Sequence, residues 1–164
     1  RGTPGMPQQV HELRAVRPHP FVPRHPRPLG ADDLQLATAW MAAFFAESGA
    51  GEGARPGWAR EAAAIHVGRS SLHFWLNPDP VCMAGGRETS EGVARIGPVY
   101  TPPAHRRRGY AGALVADLSQ RLLDGGCHTC CLFTDVRTLT SNHVYAEVGY
   151  QPVASVNEVW FRPA

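Results

Sequence analysis

The sequence has no long hydrophobic run, and this absence excludes several kinds of protein. Its 164 residues contain no stretch of about 18 or more apolar residues that would span a bilayer. The first residues also lack the charged and then apolar pattern of a secretory signal peptide. We therefore expect a cytoplasmic protein with no membrane partner. Because the chain begins at Arg1 rather than at a methionine, we expect it to be a trimmed piece of a longer product.

A strong excess of charge is also missing. The formal net charge is +2 and the sequence pI is about 8.5, with 43% hydrophobic and 18% charged residues. This balance is typical of one globular domain with a sizeable core. It argues against a protein that coats nucleic acid, because the basic surface of such a protein usually dominates the domain. Any anion that this chain recognises must be bound locally.

Cysteine is scarce, and its spacing does not favour a metal site. Three of the four cysteines lie in the segment CHTCC, namely Cys127, Cys130 and Cys131, and the fourth is the distant Cys82. A structural zinc site normally needs two pairs at ligand spacing, and the second pair is missing here. Free cysteine is among the most buried residue types. The continuation TCCLFT therefore predicts a buried strand whose cysteines pack in the core, and we expect no metal.

Two familiar phosphate-binding motifs are absent as well, namely the P-loop GxxxxGK[ST] and the dinucleotide motif GxGxxG. What the chain does contain is HRRRGYAGAL at residues 105–114, where three arginines precede a predicted helix. Cations at a helix N-terminus face the positive end of the helix dipole, at a cost of about 0.3–1 kcal/mol each. An anion beside the first helical turn would offset that cost, and Gly109 would let it approach the backbone closely.

The order of predicted elements indicates a mixed α/β fold. Residues 1–30 contain seven of the fifteen prolines. They predict an extended arm that contributes an edge strand or, as we favour, a solvated linker. Residues 31–164 then form one domain. Its predicted elements are two helices, a hairpin over SLHFWL and PVCMAG, the strand VARIGPVY, a helix from Gly109, the strand HTCCLFT, a short helix over TSNHVYAEV, and a closing hairpin of YQPVA and NEVWF.

Gly97 and Pro98 interrupt the strand VARIGPVY. Proline cannot donate a hydrogen bond to a neighbouring strand, and glycine packs poorly in a sheet. The pair therefore predicts a bulge, or a point at which pairing with one neighbour stops.

The pattern Arg106-x-x-Gly109-x-Ala111 resembles the acetyl-CoA signature of the GNAT acetyltransferase superfamily. Its surroundings match as well: VARIGPVYTPPAHRRRGYAGALVADLSQRLLDGG, then CLFTD and SNHVYAEVGYQPV, follow the strand, loop, helix, strand, helix order of that family. The resemblance implies a single GNAT-like domain, with a mixed and mostly antiparallel sheet. A splayed pair of parallel strands would lie at its centre, flanked by helices.

The same resemblance implies an enzyme that transfers the acetyl group of acetyl-CoA to a primary amine by direct attack. The acceptor would be a small molecule or a peptide, and a homodimer is compatible with the sequence. Tyr145 would be the catalytic residue that donates a proton to the leaving thiolate. The cofactor-binding residues would be three groups: Val99, Tyr100 and Thr101 along the pantetheine arm; Arg106, Arg107, Arg108, Gly109, Tyr110, Ala111 and Gly112 around the pyrophosphate; and Asn142 near the tail of CoA.

The chain departs from the family pattern at two positions. Thr138 replaces an asparagine often found seven residues before the tyrosine, which weakens one cofactor contact. Arg95 stands where histone-acetylating relatives carry a glutamate base, and an arginine cannot act as a base at neutral pH. Glu91, His73 and His105 are alternative bases, or else the acceptor amine has a low pKa. Arg95 is either a surface residue or a group that binds an anionic part of the acceptor.

Two other functions stay open at the sequence level. The departures at Thr138 and Arg95 are compatible with a CoA-binding sensor or regulatory domain of weak catalytic activity. A nucleic-acid binder that uses the three arginines and the basic arm is disfavoured, because no aromatic residues are interleaved with the basic ones.

Overall fold

The fold is built on a mixed sheet that carries helices on both faces. The structure, a computed structural model, describes residues 2–18, 25–49 and 55–161. Within that part of the chain the sheet has seven strands. They are β1 (Gly2–Leu13), β2 (Pro26–Pro28), β3 (Leu72–Leu76), β4 (Pro80–Ser90), β5 (Val93–Tyr100), β6 (Thr129–Asp135) and β7 (Gln151–Phe161). Their spatial order is β2-β3-β4-β5-β6-β1-β7.

Only β5 and β6 are parallel among these neighbours, and every other pair is antiparallel. The helices are α1 (Leu34–Ser48), α2 (Trp58–Gly68), α3 (Tyr110–Asp124) and α4 (Leu139–Val148). This arrangement confirms the predicted fold class. None of the helices in the described ranges is long and apolar enough to cross a membrane.

The side chains of the central strands alternate between the two faces of the sheet, so the buried core has one part on each face. On β4, Cys82 and Ala84 belong to one buried cluster, which includes Leu114, while Met83 between them belongs to the other. Successive side chains of a strand point to opposite faces, so both faces of β4 are covered. Helix α3 packs on the first face and α1 and α2 on the second. The predicted core role of cysteine agrees with this packing for Cys82, Cys127 and Cys130, which are buried, whereas Cys131 is only partly buried.

The proline-rich arm is part of the sheet, and its interpretation as a solvated linker is wrong for the first residues. Strand β1 lies between β6 and β7, and pairs with β6 from Gln8 to Leu13. Pro4 and Pro7 lie outside the range paired with β6, at an irregularity in the pairing with β7. Proline has no backbone N–H to donate to a neighbouring strand. It is tolerated at these positions because β1 is paired there with β7 only. The predicted edge strand exists as β2, whereas residues 19–24 of the arm lie outside the described residues.

The predicted closing hairpin is also wrong, because YQPVA and NEVWF belong to one strand. Ser155, Val156 and Asn157 continue the ladder and face Gln9, Gln8 and Pro7 of β1. The closing segment is therefore one long strand paired with β1 rather than a hairpin.

Candidate functional site: a cleft between two diverging strands

The most distinctive part of the fold is a cleft that opens where β5 and β6 separate. Their parallel pairing covers only three positions and ends at Arg95, opposite Cys131. Beyond it, Ile96 to Thr101 line one side of the cleft and Leu132 to Asp135 line the other. The cleft volume is about 1610 Å³. The predicted end of strand pairing is confirmed at this place.

A bulge in β5 accompanies the divergence. Ala84 of β4 faces Val99 and Gly86 faces Ile96, so Gly85 alone lies opposite Gly97 and Pro98. Gly97 has a φ of +136°, a backbone conformation that favours glycine. A Cβ atom on Gly85 would lie 2.6 Å from the Gly97 carbonyl oxygen, so the two strands approach too closely there for any side chain. Two glycines and a proline thus set the shape of the bulge.

The N-terminus of α3 opens onto the same cleft. A short 3-10 turn, Pro103–His105, precedes it, and Arg107 and Gly109 have φ values of +61° and +80°. Residues 105–112 all line the cleft. The first N–H groups of a helix have no acceptor within the helix, and no side chain caps α3. This geometry can bind an anion of the size of a phosphate or pyrophosphate.

The three arginines of this segment differ in their surroundings. The Arg106 guanidinium donates to Oε2 of Glu47 on α1 at 2.6 Å, and its Nε donates to the Thr101 carbonyl oxygen at 2.9 Å. Arg106 therefore ties the loop before α3 to α1 and to the end of β5. None of the ion pairs among the described residues includes Arg107 or Arg108, and both side chains are exposed. The charge available to an anion comes from these two.

Two tyrosines of the predicted site have buried rings and hydrogen-bonded hydroxyls. The Tyr100 ring is buried near Trp40, with 6.1 Å between ring centroids, and its hydroxyl donates to Glu47. The Tyr110 ring is buried in the core, and its hydroxyl accepts a hydrogen bond from Asn77. Both residues line the cleft.

Tyr145, the predicted catalytic residue, lines the cleft from α4. Its ring packs edge-on against that of Tyr150, with centroids 6.2 Å apart and an interplanar angle of 70°. Burial, and secondarily the nearby Cys82, raises the pKa of Tyr145 well above its usual range. Burial also raises the pKa of the Cys82 thiol to about 12. The Thr101 hydroxyl, directly after β5, donates to this thiol at 3.2 Å.

Asn142 is one turn before Tyr145, but the structure does not place it among the residues that line the cleft. Its side-chain oxygen is buried and has no hydrogen-bond partner among the described residues. Buried polar atoms normally have partners. Thr138, which departs from the family pattern, does line the cleft.

The structure separates the candidate bases. His105 lines the cleft, whereas Glu91 and His73 do not. Glu91 lies in the tight turn between β4 and β5, and His73 lies among Arg121 and Asp117 of α3. The described part of the chain contains no cluster of histidine, cysteine, aspartate or glutamate that could hold a metal.

The cleft also contains residues that the sequence analysis did not assign to the site, among them His66 of α2 and Arg87 of β4. The His66 Nδ1 lies 2.9 Å from the Ser71 hydroxyl. Burial, followed by the charges of Arg87 and Arg69, lowers the pKa of His66, so this imidazole is neutral at pH 7. Neither residue belongs to a recognisable motif. Only the tertiary fold brings α2 and β4 together at the cleft.

Comparisons with known proteins agree with the fold. The FR47-like protein family matches residues 74–161, more than half of the chain. An acetyltransferase of the GNAT family from Colwellia psychrerythraea has a TM-score of 0.75 at 15% identity, covering 94% of this chain and 55% of that one. A putative GNAT acetyltransferase from Novosphingobium aromaticivorans has a TM-score of 0.71 at 19% identity, covering 96% and 64%.

A third structure, the PaiA N-acetyltransferase of Thermoplasma acidophilum in complex with coenzyme A, has a TM-score of 0.64 at 14% identity, covering 79% and 91%. No curated protein sequence matches the chain. The chain spans only 55% and 64% of the first two structures, so their full lengths contain more than this domain. The chain belongs to the FR47-like family, a relative of the GNAT acetyltransferases, and has the GNAT fold.

Proposed function

We propose that this chain is an N-acetyltransferase, which moves the acetyl group of acetyl-CoA to a primary amine by direct attack. One observation carries the proposal. The gap beyond Arg95, the uncapped N-terminus of α3 and the side chain of Tyr145 all open onto one cleft. The gap suits an extended chain with amide groups, the helix terminus suits a pyrophosphate, and the tyrosine supplies a proton donor.

The dimensions of the cleft support binding of two substrates. Pockets for one drug-sized ligand measure roughly 300–1,000 Å³, and this cleft measures about 1610 Å³. In our proposal Val99, Tyr100 and Thr101 pair through their backbone with the pantetheine arm, as a neighbouring strand would. The N–H groups from Arg107 to Gly112 surround the pyrophosphate, with charge from the Arg107 and Arg108 side chains. The rest of the volume is left for the acceptor.

The transfer step exchanges one bond for another. The lone pair of the acceptor amine attacks the thioester carbonyl carbon, so that a C–N bond forms and the C–S bond breaks. The sulfur leaves with the bonding pair and gains a proton, and the amine nitrogen loses one. The enzyme therefore needs a donor near the sulfur and an acceptor near the amine.

Tyr145 is the donor in this proposal. Because burial raises its pKa, the hydroxyl stays protonated at neutral pH. A thiol in water has a pKa of about 8.5, well below that of this tyrosine. The thiol of Cys82 beside it nevertheless has a pKa raised to about 12 by burial. A thiolate that forms in similar surroundings is a stronger base than in water, which favours hydrogen-bond donation by Tyr145 to the departing sulfur.

A cleft histidine takes the proton of the amine. An alkyl amine has a pKa of about 10.4 and is mostly protonated at pH 7, so a base must act before or during attack. His66 and His105 both line the cleft. The lowered pKa of His66 keeps it neutral and able to accept a proton. Substitution of each histidine separately distinguishes them.

A second function, a CoA-binding sensor of weak activity, is favoured by two specific residues. Thr138 stands in the cleft where a cofactor-binding asparagine is often found, and Arg95 stands where some relatives have a base. This function predicts tight CoA binding with no amine-dependent turnover.

The test is release of free CoA from acetyl-CoA in the presence of amino acids, polyamines, aminoglycosides and peptides, with mass spectrometry of each acceptor. The chain contains no lysine, so background acetylation of its own side-chain amines cannot mimic turnover. We expect amine-dependent release and an acceptor that is heavier by one acetyl group. CoA binding without release would support the sensor, and absence of both would contradict the two functions together.

A further inference from the structure

Two exposed arginines face each other on adjacent strands that line the cleft. Arg87 of β4 and Arg95 of β5 are cross-strand partners, and both line the cleft. Like charges directly opposite each other on a sheet destabilise it. None of the ion pairs formed within residues 2–18, 25–49 and 55–161 includes either arginine. The protein thus maintains an unfavourable pair of charges at this position.

The carboxylates of the cleft are engaged elsewhere. Glu47 binds Arg106 at 2.6 Å, and Asp135 binds Arg137 at 2.7 Å. Glu147 lies 3.3 Å from His143 on its own helix. The charge of Arg87 and Arg95 is therefore not compensated by the acidic side chains that share the cleft with them.

Groups on neighbouring elements lie close to both arginines. The Arg95 guanidinium lies over the Phe133 ring of β6, 4.6 Å from its centroid. Stacking on a ring face leaves the N–H groups at the edge of the guanidinium free to bind an anion. Arg87 lies close enough to His66 of α2 to lower its pKa. Residues of α2, β4, β5 and β6 thus converge on one spot.

This spot is far from the region proposed for the CoA phosphates. Arg95 is the last β5 residue paired with β6, whereas the loop to α3 leaves β5 after Tyr100. Five residues of strand span roughly 15 Å. A phosphate at the N-terminus of α3 therefore does not reach Arg95, and the anion bound by the arginine pair belongs to another molecule.

We infer that the acceptor carries a carboxylate beside its amine, as an amino acid does, and that Arg87 and Arg95 bind that carboxylate. The inference rests on the proposed acetyl transfer, since it names the substrate class for the same cleft. Paired guanidinium groups match the two oxygens of a carboxylate and form charge-assisted hydrogen bonds to it. The arginines thereby select for the acceptor and position its amine, while the chemistry stays with other residues.

The test uses α-amino acids, their carboxamides and matched aminophosphonates as acceptors. For the wild type we expect a lower KM for the acids than for the uncharged amides. Arg95→Gln and Arg87→Gln should each raise the KM for the acid about 10- to 100-fold, the usual worth of a hydrogen bond to a charged group. The KM for the amides and the KM for acetyl-CoA should not change. Arg60→Gln, an exposed arginine outside the cleft, is the matched control.

Other outcomes overturn the inference in distinguishable ways. Equal KM values for acids and amides would show that no carboxylate is recognised, and a raised KM for acetyl-CoA would assign the arginines to CoA. A lower KM for the aminophosphonate than for the amino acid would show that the arginines recognise a phosphate-like group rather than a carboxylate. If no acceptor turns over, calorimetry measures instead whether amino acids bind to the CoA-loaded protein. Binding that Arg95→Gln abolishes would support the subsite while the proposed transfer fails, and absence of binding would contradict both.

Discussion

The two halves of β5 have different neighbours, although they belong to one strand. Val93 to Arg95 pair with β6, and the side chains of Ala94 and Ile96 are buried against α3. From Gly97 onwards the strand keeps β4 but has lost β6. The first half stabilises the sheet, and the second half leaves backbone groups free for a ligand. One bulge therefore converts a structural strand into one wall of a binding site.

The same contrast separates two tyrosines whose rings touch. Tyr150 is 1% exposed, and its hydroxyl lies 2.7 Å from the Ser119 hydroxyl inside the core. Tyr145 lies beside it in the cleft. Removal of the Tyr145 hydroxyl should therefore affect catalysis, whereas removal of the Tyr150 hydroxyl should affect the stability of the fold.

Tyr145→Phe should have the largest effect on catalysis. Loss of a general acid typically lowers the rate by about 100-fold or more. We expect this fall in kcat, with little change in CoA affinity or in the denaturant midpoint. Tyr150→Phe is the matched control. It should lower the free energy of unfolding by about 1–3 kcal/mol, because it leaves the Ser119 hydroxyl without its buried partner. The reverse pattern would show that the two tyrosines have been assigned the wrong roles.

Gly85→Ala should distort the open half of β5 directly. The new Cβ would lie 2.6 Å from the backbone oxygen of Gly97, which cannot rotate away. Overpacking of this kind costs about 1–3 kcal/mol, so we expect CoA affinity to fall roughly tenfold in calorimetry.

Gly86→Ala is the control for that substitution. Its Cβ would meet the ends of the Ile96 and Leu122 side chains at 3.0 and 3.2 Å, and these can shift. CoA affinity should stay close to that of the wild type. Equal losses in the two variants would mean that the bulge is not needed for binding.

His66→Gln should alter the pH dependence of turnover. A base must be neutral, so activity falls as the pH drops through its pKa. Because burial and Arg87 lower the pKa of His66, the acidic limb should have its midpoint below 6.5 in the wild type and vanish in the variant. We expect a fall of about tenfold in kcat at neutral pH. His73→Gln is the control, since burial lowers its pKa too but it lies outside the cleft. An unchanged profile in His66→Gln would leave His105 as the base.

Glu47→Gln should have the smallest effect. It weakens the exposed ion pair that ties Arg106 to α1, and such pairs contribute about 0–1 kcal/mol. We expect CoA affinity to change by a factor of about two to five, and less at high salt. Glu61→Gln, which breaks the exposed pair with Arg55 outside the cleft, should leave CoA affinity unchanged. A large effect at Glu47 would mean that the loop before α3 depends on this contact.

Local chemistry made some of these features predictable from the sequence. Gly97 and Pro98 predicted the end of strand pairing because proline lacks a donor wherever it stands. The helices and the first hairpin followed from periodicity and turn residues. The prolines of β1 led to the wrong prediction of a linker. Pro4 and Pro7 lie in the part of the strand that is not paired with β6, and the sequence alone does not show this.

The acceptor side of the cleft was not predictable from local patterns. Arg87 faces Arg95 because the pairing of β4 with β5 shifts between Glu88 and Ser90. His66 reaches the cleft through the packing of α2. The Arg106 side chain, which the family resemblance places near the pyrophosphate, also binds Glu47 of a helix 59 positions earlier. The contacts of His66 and Arg106 join segments that are distant in the sequence, and the pairing of Arg87 with Arg95 depends on an irregularity near the turn that no local pattern encodes.

Calorimetric titration of the protein with acetyl-CoA measures whether the gap between β5 and β6 binds this molecule. We expect saturable binding of one molecule per chain, competition by free CoA, and clearly weaker binding to Gly85→Ala than to Gly86→Ala. Absence of binding by the folded wild type, or equal binding by the two variants, would contradict the assignment of the gap between β5 and β6 to the pantetheine arm.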